Sequence, residues 1–394
     1  MKFSHMADMH LGGWKDPKIA FLAEKGFKKA VRVSIEEKVD FVLIAGDLFN
    51  TSMPGIDVLK LAVGGLKKLK NSGIPVYLIA GSHDFSPSGK TMLDVLEDAG
   101  MFVNVCKGEV VGDSLRLKFT VDPKTGAKIT GMLGKKGMLD KKYYAHLLRD
   151  ELEKEEGFKI FMFHTAITEL KTKDLAKMES EPVSILPRGF DYYAGGHVHI
   201  VRSETEEGYK RLVYPGPLFP NNFGELEKVS GGFYIYDNGN LRRIRVQDKE
   251  TYLLEVDASS KNPNQVQSEI VEGLAQVKDK IVLLRVKGKL ENGKPSDINF
   301  KELVEIALDK GSYHILKTTR GLQSKEYDDV KIETGSAEEI ETKLVSESGE
   351  DKELVERLMK ALDTEKQEGE TNQAYEKRVI GETEELFNTA NTPQ

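Results

Sequence analysis

Apolar and polar positions alternate along this chain in two distinct rhythms. Residues 41–45 (Phe-Val-Leu-Ile-Ala), 76–80 and 160–163 (Ile-Phe-Met-Phe) are unbroken apolar runs, as expected of strands buried on both faces. Between them, residues 17–38 and 55–70 repeat apolar positions at helical spacing. Ile19, Leu22, Phe27, Ala30 and Val31 mark the first helix, and Val58, Leu59, Ala62, Leu66 and Leu69 the second. With an extended stretch at 2–7, the order is β-α-β-α-β with short loops. That order predicts a parallel sheet with helices outside, in which ligands sit at the carboxyl ends of the strands.

A helix at 92–97 follows, then hairpins and loops over 102–134, a helix over 143–154, and strands at 190–194, 210–215 and 232–237. Asn238-Gly239 predicts a two-residue hairpin turn into a strand at 241–246. Near residue 252 the pattern changes. Strands at 252–256, 280–286 and 313–318, with helices over 263–278 and 300–308, predict a second, smaller α/β unit. From Ser336 onward the chain reads as charged amphipathic helix, opened by the capping-box sequence Ser336-Ala337-Glu338-Glu339 and followed by a polar tail from Asn388. The expected domains are residues 1–248, 249–332 and 333–394.

The 394 residues suffice for two or three domains and a large core. No apolar run is long enough for a bilayer span, Met1 leads directly into a strand with no visible signal peptide, and there is a single cysteine, Cys106. These features predict a reducing intracellular compartment, cytoplasmic or nucleoid-associated, and no membrane. The net charge of -7 is unevenly placed. Residues 336–394 hold 16 acidic against 7 basic side chains, so the rest of the chain is close to neutral and a DNA partner stays open.

The chemistry collects at predicted strand ends. Asp8-x-His10 closes the first strand, where residues two apart point to one side. Asp47 follows the second and Gly81-Ser82-His83-Asp84 the third. His164 follows the run at 160–163, and Gly196-His197-Val198-His199 the one at 190–194. Five of the chain's eight histidines thus fall, with Asp8 and Asp47, at one edge of what reads as one sheet. A histidine after an apolar strand is usually structural, but this many together predict a metal centre. Asp8, His10, Asp47, His164, His197 and His199 are six donors, more than one catalytic ion uses, which suggests two. Mixed imidazole and carboxylate favours manganese, iron or zinc over magnesium or calcium.

In order and spacing these motifs resemble those of the calcineurin-like metallophosphoesterases, and most closely the branch of the DNA double-strand-break repair nuclease (the Mre-eleven/SbcD type). The motif match covers roughly residues 1–240; the second unit resembles that family's DNA-capping domain, and the tail its docking region. The resemblance implies an α/β fold: a metallophosphoesterase sandwich of sheets flanked by helices, a smaller α/β capping domain and a helical C-terminal region. It implies two Mn2+ per subunit, the first held by Asp8, His10, Asp47 and His199, the second by Asp47, Ser82, His164 and His197. His83 is the implied catalytic residue, stabilising the transition state or protonating the leaving oxygen. Exonuclease action on duplex ends and endonuclease action on single strands follow. So do a homodimer through helices around 58–69 and 92–96, and docking of a Rad-fifty/SbcC-type ABC ATPase on the C-terminal helices. Ser82 departs from the family, which usually has Asn there, and Asn50 stands where some members carry His. Two alternatives stay open: a DNA-end-binding scaffold with a weakened metal site, and a phosphatase or phosphodiesterase of the same superfamily. Basic clusters at Lys135, Lys136, Lys141 and Lys142, at Arg242, Arg243 and Arg245, and at Lys287, Lys289 and Lys294 are candidate phosphate contacts.

Overall fold

The computed structural model describes residues 1–86, 91–134, 141–325 and 372–390, with isolated positions between 355 and 364. In chain order come β1 (Lys2–Met6), α1 (Pro17–Glu36), β2 (Phe41–Ala45), α2 (Ile56–Asn71), β3 (Val76–Ile79), α3 (Met92–Asp98) and β4 (Val103–Asn104). A hairpin of β5 (Gly108–Val111) and β6 (Ser114–Leu117) leads to β7 (Thr120–Val121) and β8 (Lys128–Gly131). Helices α4 (Lys141–Ala145) and α5 (Arg149–Lys154) precede β9 (Lys159–His164), β10 (Tyr192–Gly196), β11 (Val201–Glu206) and β12 (Tyr209–Pro215). A short helix, α6 (Phe223–Lys228), then gives way to β13 (Gly232–Asp237) and β14 (Asn240–Arg245).

Apart from the two-stranded β5–β6 hairpin, these strands form two six-stranded sheets, in the orders β14-β13-β1-β2-β3-β4 and β11-β12-β10-β9-β8-β7. Strand alternation explains how they stack. Phe3, Phe41 and Leu43 share one buried cluster with Ile160, Met162, Tyr192 and Ala194 of the second sheet. The intervening Met6, Val42 and Ile44 pack instead with Phe27, Val31, Leu66 and Leu69 of α1 and α2. A third cluster, with Phe161, Phe163, Phe190 and Tyr193, covers the second sheet's other face. The result is a sandwich with helices outside, and the continuous apolar runs are explained by burial on both faces.

Several sequence expectations change in detail. The helix expected over 143–154 is broken, because Leu148 is extended (ψ 96°) and caps α5. Asn238 and Gly239 do form the hairpin turn, both with positive φ (47° and 98°), pairing Asp237 with Asn240.

The remaining elements are β15 (Thr251–Asp257), α7 (Pro263–Gly273), β16 (Ile281–Leu290), α8 (Phe300–Asp309), β17 (His314–Thr318) and β18 (Leu322–Ser324). The α-helical part of the predicted 263–278 helix stops at Gly273, with a 3-10 turn beyond it. These strands make a separate parallel sheet with its own core. The sheet's other face meets the sandwich: Ile281 and Leu283 bury against Ile19, Leu22, Phe219 and Leu226. His314 Nε2 lies 2.9 Å from Asp16 Oδ2, and the Tyr313 hydroxyl donates to the Lys18 carbonyl at 3.1 Å. Residues Met1–Lys325 accordingly form one compact unit, and Glu326–Gln394 a second. In the second unit α9 (Asn372–Ala390) is described; it runs into the segment expected to be a polar tail. The capping box at Ser336 lies outside the described residues.

Candidate metal centre

The predicted donors come from two sheets rather than one edge of a single sheet. Asp8, His10, Asp47, Ser82 and His83 follow strands of the first sheet; His164, His197 and His199 belong to or follow strands of the second. They meet because the two sheets converge at this end. The His164 Nδ1–H donates to the Ala45 carbonyl at 2.9 Å, tying β9 to β2 across the sandwich. A Cβ on Gly196 would lie 2.1 Å from the Ala45 oxygen, so no other residue fits there without moving a strand. Gly46 is equally constrained: its φ is +86°, and a Cβ would fall 2.2 Å from His164 Nδ1.

Asp8 and His10 converge for a different reason than strand alternation. Strand β1 ends at Met6, and Asp8 (φ 50°) and His10 (φ 42°) are both left-handed, as are Asp47 (φ 53°) and His199 (φ 53°); His197 has φ 98°. Such conformations cost on the order of 1 kcal/mol each in a non-glycine residue. Backbone hydrogen bonds hold them in place, His10 N–H to the Asp47 carbonyl at 3.0 Å and Asp8 N–H to the Gly46 carbonyl at 3.1 Å. Five strained residues at one point are strain placed where side chains must be aimed.

The side chains form overlapping groups. Donor atoms of Asp8, His10 and His199 lie within 4.8 Å of one another, as do those of Asp8, Asp47 and His164, and those of His10, Asp47 and His83. His10 Nε2 is 3.1 Å from His199 Nε2 and 3.5 Å from Asp47 Oδ2, and His164 Nε2 is 3.2 Å from Asp47 Oδ2. Two donors at right angles on one ion, each about 2.1 Å from it, stand about 3.0 Å apart, so these separations suit a shared ion. His164 Nε2 and His10 Nδ1 are buried with no aligned hydrogen-bond partner. His164 Nε2 has the Asp47 carboxylate 3.2 Å away as its electrostatic partner, and a divalent cation held by both would replace the proton they share. The residues present therefore fit a divalent metal. His197 falls outside these groups; its ring lies 5.2 Å from that of His164. Ser82 is buried and lines the same cleft as Asp47, His83, His197 and His199, a space of about 1040 Å³.

Electrostatics follow from burying this many titratable groups together. Burial alone disfavours charge on His164, yet the Asp47 and Asp8 carboxylates push it up to about 10. His199 rises in the same way to about 9, against its burial, through Asp8 and Glu225. Burial dominates at His10, pushed down to about 3, and at His197, pushed down to about 4. Asp47 is held well below the usual carboxylate range against its burial by His164 and His10.

Two supporting residues escape a reading of the sequence. Glu225 Oε1 accepts the His199 Nδ1–H at 2.9 Å, fixing the ring so that Nε2 faces the donors. Its carboxylate also accepts from the Asn221 backbone at 2.8 Å, which suits the start of α6. The pattern Asn222-x-x-Glu225 has the form of a helix cap, the one local signal that singles Glu225 out. Asp84 stands at a strand end, and no motif gives it a role. Its buried carboxylate accepts from Leu48, Phe49 and Gly81 N–H at 3.0–3.2 Å, locking the loop of Asp47 to that of His83. Burial, with Asp47 nearby, pushes it up to about 7.

Three members of the basic clusters hold structural partners. Arg243 donates to the Ser230 carbonyl at 2.6 Å, Arg242 pairs with Glu37 at 2.7 Å, and Lys287 with Glu255 at 2.7 Å. Lys135 and Lys136 lie outside the described residues.

A helix-flanked double sheet presenting imidazoles and carboxylates at one end of a cleft defines a metal-dependent hydrolase of phosphodiester bonds. The chain belongs to the calcineurin-like phosphoesterase family, whose model matches residues 1–201. Along nearly its whole length it is similar to the DNA double-strand break repair protein Mre11 of Archaeoglobus fulgidus, with 26% identity covering 98% of this chain and 91% of that one. The Mre11 of Methanocaldococcus jannaschii is 28% identical over 92% of this chain and 94% of its own. Among solved structures, TT1561 of Thermus thermophilus aligns at 15% identity with a TM-score of 0.40, covering 62% of this chain and 98% of that one. The Mre11-type resemblance drawn from the motifs is thus met by relatives spanning the chain. Among the described residues no helix is long and apolar enough to cross a membrane.

Proposed function

We propose that this protein is a manganese-dependent DNA nuclease of double-strand-break repair. It acts as an exonuclease on duplex ends and an endonuclease on single strands, within the cell beside DNA. The observation that carries the reading is the convergence of Asp8, His10, Asp47, His164 and His199 into donor groups that overlap through the two carboxylates. Asp8, His10, Asp47 and His199 would hold one Mn2+, and Asp47, Ser82, His164 and His197 the other. Such a pair of ions supplies an activated water and neutralises charge on the scissile phosphate. Asp47 and Asp8 orient their neighbours as well: Asp47 Oδ1 accepts the His83 N–H at 2.7 Å, and Asp8 Oδ1 the His197 N–H at 2.8 Å.

His83 is the proposed catalytic acid. Its Nδ1 hydrogen-bonds the Asn50 carbonyl at 2.9 Å, which fixes the ring and leaves Nε2 as the nitrogen that would exchange a proton with the leaving oxygen. The unit at 249–332 is proposed as a DNA-capping domain over the 1–248 nuclease domain. The 333–394 region is proposed to dock a Rad-fifty/SbcC-type ATPase. A homodimer through α2 and α3 is favoured by exposed apolar side chains on or just before these helices, Met53, Ile56 and Val95, which are 67%, 78% and 57% exposed.

The test is turnover of hairpin and single-stranded circular DNA with Mn2+, set against a generic phosphomonoester. Cleavage of DNA in preference to the monoester is expected. Monoester turnover without DNA cleavage would move the protein to the phosphatases, and DNA binding without turnover of either would make it a scaffold.

A further inference from the structure

We propose that the short helix α6 conveys the position of the second α/β body to the metal centre, with Arg285 and Glu227 as positioning residues for His199. The inference rests on His199 as a metal ligand, as proposed above.

Helix α6 has two working faces. Phe223, Leu226 and Glu227, spaced three and four apart, lie on one side of the turn, and Glu225 projects elsewhere. The first face lies at the seam of the two bodies. Phe223 and Leu226 pack in one cluster with Ile281 and Leu283 of β16 and with Ile19, Leu22 and Phe219 of the sandwich. The guanidinium of Arg285, also on β16, grips Glu227 with both nitrogens, Nη1 to Oε1 at 3.0 Å and Nη2 to Oε2, and lies 5.5 Å from the Phe223 ring centre. The Arg285 and Glu227 side chains are 27% and 19% exposed, so this planar, two-point pair is shielded from much of the solvent that weakens surface pairs. By contrast Lys228 and Asp174, paired at 2.6 Å, are both more than half exposed and contribute little.

Glu225 serves the metal centre, holding His199 through Nδ1 while His199 Nε2 faces His10 and Asp8. Glu225 and Glu227 stand two residues apart on one rigid helix. Because α6 is seated between β16 and the sandwich, the Arg285–Glu227 pair biases how the helix sits, and with it Glu225 and the imidazole. His164 and His197 are held instead from within the sandwich, by the Ala45 carbonyl and the Asp8 carboxylate. A carboxylate behind a metal-bound histidine sets the ring's orientation and basicity, and losing it typically lowers metal affinity roughly 10- to 100-fold.

The experiment titrates Mn2+ into the metal-free full chain, following heat and the loss of the free-ion magnetic resonance signal. Arg285→Ala is expected to weaken Mn2+ binding about tenfold, and Glu225→Gln by at least as much. The double variant should be no weaker than Glu225→Gln alone, because both losses pass through one bond. Glu227→Gln should weaken binding as Arg285→Ala does, whereas Glu255→Gln, which removes the other carboxylate on the same guanidinium, should not. Thermal unfolding of each variant reports general damage, and where Arg285→Ala does not fold, Arg285→Lys takes its place in the same comparison. Wild-type affinity in the Arg285 variant, or losses that multiply in the double variant, would overturn the proposal. A wild-type protein that takes up no Mn2+ overturns the metal reading itself, so the two failures are distinct.

Discussion

His10 Nε2 and His199 Nε2 face each other at 3.1 Å across 189 positions of sequence. Without metal, two imidazole nitrogens at that distance share a proton. An ion bound between them must displace it, which links metal affinity to pH.

The size of that linkage follows from the site. His199, pushed up to about 9, and His164, pushed up to about 10, both carry an extra proton near neutrality in the metal-free protein. Metal binding near neutral pH should therefore release close to two protons per chain, measurable by calorimetry in buffers of different ionisation heat. Affinity should rise with pH up to roughly 9–10. The same raised values stabilise the metal-free fold fully below the unfolded histidine value of about 6.5, and that contribution fades as pH climbs through roughly 9 and 10. Affinity that is flat between about pH 6 and 8 would contradict the assignment of these two ligands.

Asp47 and His83 should fail differently. Asp47 stands within reach of His10 and His164, so Asp47→Ala is expected to abolish cleavage and weaken metal binding together. His83→Ala should keep its metal and lose roughly 100- to 10,000-fold in turnover, the usual scale for a missing acid. Metal content by elemental analysis, read beside the rate, separates the two.

Ser82 presents a short hydroxyl where the family usually offers a carboxamide. Ser82→Asn is expected to tighten the weaker of the two Mn2+ sites about tenfold, within the range seen when one supporting group changes. Unchanged binding would remove residue 82 from the ligand set.

Gly46 tests whether the sheets must approach closely. Gly46→Ala combines a left-handed backbone with a clash against His164, and should cost about 2–5 kcal/mol in a denaturant titration. A midpoint like that of the unaltered protein would show that the loop relaxes freely.

Much of the fold is legible because burial leaves a simple trace. Runs such as 160–163 are apolar throughout because both faces are covered, and Val58 to Leu69 repeats at helical spacing because one face of α2 is. The candidates that the structure gathers into donor groups are legible too, since loops at strand ends are where a parallel sheet can aim polar groups without breaking its ladder. Asn238-Gly239 announces its own turn, a property of two adjacent residues.

What local pattern could not reveal is how those ends meet. Asp8 and His10 look like neighbours on one strand face, but left-handed backbone turns them, and His164 and His199 arrive from a different sheet. Glu225 and Arg243 are similarly opaque: one carboxylate among many proves to hold His199, and a candidate phosphate contact proves to bond carbonyls. Periodicity records what each segment buries and therefore which element it becomes. Distances between segments far apart in the chain are set by how the two sheets pack, and the pairing of donors and the tie from β16 to His199 exist at that level alone.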